Sequence, residues 1–216
     1  MLVRQGNLMQ QFHCQREDLQ YWMEKDVRAY VGEYLYPEWE AVEEGFTEIL
    51  QTVDPDDWTP ELEQDMLYVL ARDNQREELL ERLIQFPRAL LRLAFAGVNY
   101  PDYEARWQLA HGVGQVEASP AACETLLCHW ATRDKEEYVR RRALLALSYR
   151  PYASAEPLAL AAWSSGHKYQ RIAALAVLER IQSPHLPRIL EEAYLDPQDS
   201  VRGHAQRLMR YLAGPA

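Results

Sequence analysis

The sequence predicts an all-α fold of stacked helical pairs, on three observations. Apolar residues recur at spacings of three and four along most of the chain, which is the period of one helical face. No segment alternates with period two, and no Asn-Gly or Asp-Gly pair announces a hairpin. One ten-residue pattern returns at a fixed interval in the C-terminal half. With 216 residues, 48% of them hydrophobic, the chain is long and apolar enough for a sizeable core.

In chain order, the first face is Leu19, Trp22, Met23, Val27, Tyr30, Val31, Tyr34 and Leu35, ended by Pro37. The residues before it, including His13 and Cys14, read as a mobile terminus. A second face, Trp39, Val42, Phe46, Ile49, Leu50 and Val53, runs to the turn-forming Asp54, Pro55, Asp56 and Asp57. Thr59-Pro60 is a helix start: threonine at the N-cap accepts from a free amide, and proline at the first helical position loses no hydrogen bond. Leu62, Met66, Val69 and Leu70 form the buried side that follows. Ser119-Pro120 and Ser183-Pro184 repeat the signal. Residues 1–58 therefore read as an acidic, aromatic-rich helical N-terminal cap and 59–216 as a repeat array, within one continuous domain.

The repeat is clearest in three copies, which start at Tyr138, Tyr169 and Ser200, 31 residues apart. An arginine stands two places in (Arg140, Arg171, Arg202), an alanine five places in (Ala143, Ala174, Ala205) and a large apolar residue nine places in (Leu147, Leu178, Met209). A weaker copy starts at Tyr103 and has Ala105 at the arginine position. A helical pair with one apolar stripe buries it only by stacking on neighbours, which makes the array an α-solenoid with a polar cap expected at its end. These residues resemble the HEAT repeat family, including its short form of about 30 residues, over roughly residues 100 to 212. In that family the second helix opens with a Val-Arg step after an acidic turn, as in Asp134 to Val139-Arg140 and Asp196-Pro197 to Val201-Arg202. The middle copy has Ser165 for the acid and Gln170 for the valine. The resemblance implies a right-handed α-α superhelix whose arginine column is a structural ladder pairing with turn acids or carbonyls. A binding stripe for an anion is the alternative use of that column.

Charge divides the chain. Residues 1–132 hold 10 basic and 24 acidic residues and residues 133–216 hold 13 and 9, so the net −10 averages −14 with +4. Twelve acids and no Lys or Arg lie between Arg28 and Arg72. This balance argues against general nucleic-acid or membrane binding and for a basic protein partner, while leaving room for a local anion contact in the C-terminal half. Three cysteines make no disulfide framework, and the N-terminal residues lack the apolar core of a signal peptide, so a cytoplasmic protein is expected.

Candidate chemistry is thin. Cys123, Cys128 and His129 miss the helical spacing of metal ligands, Ser164 to His167 lack a nucleophile elbow, and Gly112-Val113-Gly114 lacks the strand of a phosphate loop. No catalytic residue, metal or cofactor is assigned. Partner contacts are instead expected at the zero and +4 positions of the second helices, Tyr103, Tyr138, Tyr169, Trp107, Arg142 and His204, and at Trp39, Glu43 and Glu44 of the acidic span, because Tyr, Trp and Arg dominate interface hot spots. A non-enzymatic protein-binding role follows, with a toxin-neutralising immunity protein as its narrow form. The alternatives that the HEAT-like resemblance implies are a DNA-alkylation glycosylase or nucleic-acid-binding protein and, further, a bilin chromophore lyase.

Overall fold

The computed structural model describes residues 2–30, 32 and 35–213; Val31, Glu33 and Tyr34 lie outside them. Twelve α-helices and no strand occur among the described residues. They are α1 (Leu2–Lys25), α2 (Trp39–Thr52), α3 (Pro60–Arg72), α4 (Glu78–Ile84), α5 (Pro87–Ala96), α6 (Tyr103–Gln115), α7 (Pro120–Arg133), α8 (Glu137–Ala146), α9 (Ala155–Ser164), α10 (Lys168–Arg180), α11 (Leu186–Tyr194) and α12 (Asp199–Ala213). The chain forms two compact units, Met1–Leu126 and Leu127–Ala216, with the boundary inside α7. The 58/59 boundary expected from the sequence falls inside the first unit. No described helix is long and apolar enough to cross a membrane.

In the first unit α6 is the central helix, packed by α3, α4 and α5, while α1 lies on α2 and α3. Phe46, Ile49, Met66, Leu67, Leu70, Leu79, Leu83, Leu90 and Leu109 are fully buried between these helices, and each side chain of this size contributes roughly 1.5–3 kcal/mol by leaving water. Thr59 caps α3 as its sequence predicts, accepting from the Leu62 amide at 3.2 Å. Gly112 lets α6 pass close to α4, since a Cβ there would stand 2.8 Å from Leu80 Cδ1.

The N-terminal residues differ from the expected mobile terminus. They form the 24-residue helix α1, which starts well before Leu19 and ends at Lys25. Val27 is 78% exposed and Leu35 also faces solvent, so neither lies on the buried side that the expected apolar face assigns to it. Its fully buried apolar anchors are Phe12, edge-on to Phe46, and Leu19, and polar contacts complete the docking. Gln15 Nε2 donates to the Ala41 carbonyl at 3.2 Å, and Arg16 Nε to Asp65 Oδ1 at 2.6 Å.

The second unit is a stack of paired helices around α10, which α8, α9, α11 and α12 all contact. The repeated alanines Ala143, Ala174 and Ala205 are fully buried, as are Leu147 and Leu178. A small residue at the first of these positions allows close helix approach while the large one fills the space beyond it. Met209, the third member of the apolar column, is only half-buried, and Tyr211 and Leu212 are exposed, because no described helix follows α12.

Candidate interaction surfaces

The arginine column is engaged within the fold. Arg140 Nη1 donates to the carbonyls of Asp134 (2.8 Å) and Lys135 (3.0 Å), and Arg202 Nη1 to that of Asp196 (2.5 Å). Arg171 donates to the Trp163 carbonyl at 3.1 Å and to the buried Asp196 carboxylate at 2.5 Å, which ties one repeat to the next. These charge-assisted bonds are what the acidic turn provides. The departures in the middle copy keep the pattern by other means. Ser165 Oγ accepts from the His167 amide, as Asp134 and Asp196 accept from Glu136 and Gln198. Gln170 is buried and donates to Glu137 Oε1 at 3.1 Å, and Gln198 Nε2 donates to the carbonyl of Gly166, whose φ of 75° makes the turn between α9 and α10.

The weaker copy has its arginine after all. Arg106, one place later than expected from Tyr103, is buried and donates to the carbonyls of Tyr100 and Pro101, the same six- and five-residue reach that Arg140 makes. Asp102 caps the Glu104 amide and receives Arg72.

Three expected partner contacts are internal. Trp39 is buried, and its Nε1 donates to Glu43 Oε1 at 2.6 Å. Glu43 also receives Arg82 Nη2 at 3.1 Å and holds α4 to α2. Trp107 is 3% exposed because α6 is surrounded by its neighbours, so the +4 position of this helix does not reach solvent. Its Nε1 donates to Glu104 Oε2 at 2.6 Å.

The acidic span is likewise divided. Glu63 pairs with Arg92, Asp65 with Arg16, and Asp54 and Asp56 with Arg88. Glu40, Glu44 and Glu48 remain on the solvent face of α2, at positions i, i+4 and i+8, opposite Trp39, Val42, Phe46 and Ile49. Glu48 has a loose partner, Arg4, at 4.0 Å.

His13, expected in a mobile terminus, joins this internal set. Its Nδ1 lies 2.8 Å from Asp65 Oδ2, with Glu17 and Glu61 beside its Nε2. The hydrogen bond to Asp65 raises its pKa above the usual 6.5, with burial and Arg16 opposing. A raised folded-state pKa contributes stability that is fully present below pH 6.5 and is lost as pH rises through the higher folded value. The stability lost on His13→Gln is therefore expected to shrink between about pH 6 and about pH 8, measured by urea unfolding of both proteins at each pH.

The second-helix positions of the C-terminal unit behave differently from Trp107. Tyr169 is 41% exposed, Tyr138 and Arg142 are half-buried, and in the first unit Tyr103 is 40% exposed. His204 is half-buried, and that burial, with Arg207 near, lowers its pKa. The residue that organises the surface, Arg141, is not one of the expected partner contacts. Its guanidinium lies 4.9 Å from the ring centroids of both Tyr138 and Tyr169, and Lys168 Nζ is 4.6 Å from the Tyr169 centroid. The one-residue offset from Arg140 and Arg142 on the helix was the signal, since it turns Arg141 toward the tyrosines at i−3 and on the next repeat. Cys123, of the Cys-Cys-His group, is buried with Sγ against the Ala118 carbonyl, and no group of three metal-ligating side chains occurs among the described residues.

Residues 124–210 match the family model of HEAT repeats, about two fifths of the chain. No curated protein and no solved structure matches the chain.

Proposed function

Residues 124–210 being HEAT repeats, a fold often used to hold other proteins, we propose that the chain is a non-enzymatic protein-binding protein with a dedicated basic partner. Binding that blocks a toxin acting on nucleic acid, the task of an immunity protein, is its narrow form. The observation that carries the reading is the stripe Glu40, Glu44 and Glu48. Like charges at i and i+4 destabilise a helix by about 0.2–0.5 kcal/mol per pair, and the paired acids of this span hold the fold together, whereas Glu40 and Glu44 have no ion-pair partner among the described residues and Glu48 has only Arg4 at 4.0 Å. A basic surface docking there relieves the repulsion, and opposite charge speeds encounter. The three cysteines, none in a disulfide, suit a reducing cytoplasmic setting.

The test is capture of a protein from a lysate of the native host at moderate salt, with wild-type chain and with the triple variant Glu40→Lys, Glu44→Lys, Glu48→Lys as baits. The expected result is one basic protein retained by the wild type and lost from the variant, while circular dichroism of the two baits agrees. Equal retention by both would remove the stripe from the interface, and retention of nothing basic would reject the reading.

A further inference from the structure

We infer that the Tyr138–Arg141–Tyr169 cluster of the C-terminal unit is a carboxylate receptor that takes an acidic segment of a protein. The inference concerns the other unit and does not depend on the α2 stripe.

Arg141 differs from the column arginines Arg140, Arg171 and Arg202. Those three place their donors on carbonyls or carboxylates of the repeat turns. The Arg141 guanidinium donates no hydrogen bond among the described residues; its Nε is buried without an acceptor. Its nearest carboxylate, Glu137 Oε1, stands at 3.6 Å and already accepts from Gln170. Two tyrosine rings at 4.9 Å fix the plane of the guanidinium, one from its own helix and one from the next repeat. The side chain is 26% exposed, so the fork is reachable.

A guanidinium held flat with unmet Nη donors presents the paired geometry that a carboxylate accepts in bidentate fashion. Rotamer freedom, the usual cost of fixing a long side chain on binding, is largely lost already in the ring stack. Lys168, exposed and against the same Tyr169 ring, adds a second positive charge at the site. A C-terminal unit with excess positive charge complements an acidic segment.

A nucleic acid fits less well. Single strands bind by stacking bases on aromatic rings, and here the tyrosines are engaged by Arg141 and Lys168.

The experiment uses the full chain and fluorescence anisotropy at low salt, with three labelled probes: a peptide alternating glutamate and glycine, the same peptide with lysine for glutamate, and oligothymidylate. The expected result is saturable binding of the glutamate peptide alone. Arg141→Met, which keeps the aliphatic stem between the rings, is expected to weaken it at least about tenfold, as loss of a bidentate charged pair does. Arg141→Lys should recover only part of that loss, and Lys168→Ala, at an exposed position that tolerates truncation, should weaken binding about threefold. Glutamate-peptide binding unchanged in Arg141→Met, or absent from the wild type, would overturn the inference. Tighter binding of oligothymidylate that falls with Arg141→Met would assign the site to nucleic acid instead. The neutral variant Glu40→Gln, Glu44→Gln, Glu48→Gln, which removes the α2 charge without adding lysines, is expected to bind the glutamate peptide as the wild type does.

Discussion

Trp107→Ala is expected to lower the stability of the first unit by about 3–5 kcal/mol, the range for removing a buried tryptophan side chain. The indole is 3% exposed in the most enclosed helix of that unit, and its Nε1 bond to Glu104 is lost with it. Urea unfolding followed by far-UV circular dichroism reads the shift as a lower midpoint with little change in slope. An interface tryptophan behaves in the opposite way: its removal leaves the midpoint near that of the wild type and weakens capture of the partner. At a urea concentration where the variant is still folded, partner capture is expected to match the wild type. The measurement thus separates a core role for Trp107 from the contact role that its spacing from Tyr103 suggests.

The second large effect is expected at Asp196. Its carboxylate, 2% exposed, receives Arg171 from the preceding repeat and caps the Gln198 amide, and its carbonyl receives Arg202. Asp196→Ala leaves a mostly buried guanidinium without its acid and the Gln198 amide of the turn without its acceptor, which together cost about 3 kcal/mol. Arg171→Met leaves the buried Asp196 carboxylate with only the Gln198 amide as donor among the described residues and is expected to cost a similar amount. The double variant is expected to be more stable than the sum of the single losses by about 1–3 kcal/mol, the size of coupling found for residues in direct contact. Additive losses in urea unfolding would mean that Arg171 does not rely on Asp196, and would reopen the arginine column as an anion-binding stripe.

The helical class, the repeat interval and the Thr59 cap were all legible in the sequence because each rests on local spacing: a 3.6-residue face, a 31-residue return and a side chain three residues from its amide. What escaped is held by contacts distant in sequence. The helix α1 carries few apolar anchors and docks through Gln15, Arg16 and His13, so no apolar stripe marks it. Glu43 lies among acids that look equally solvated until Arg82, 39 residues on, selects it. The arginine of the weaker copy was displaced because the interval there is 34 residues from Arg106 to Arg140, while the tyrosines that set the register are 35 apart. Trp107 shares its position in the repeat with Arg142, yet it is 3% exposed where Arg142 is half-buried. Periodicity tells which residues share a face, and the neighbours decide whether that face meets solvent.

The two candidate surfaces are of opposite sign, acidic on α2 and cationic around Arg141, so the net charge of −10 describes neither. That division bears on kinetics as well as affinity, because steering by charge acts on the rate of encounter and is screened by salt.

The central claim, that α2 meets a basic protein through Glu40, Glu44 and Glu48, is tested most directly by the association rate constant of the captured partner with immobilised chain. The rate is expected to fall at least about tenfold between low and moderately high salt for the wild type, and to be low and nearly independent of salt for the triple lysine variant. An association rate that is the same for both chains and insensitive to salt would contradict it.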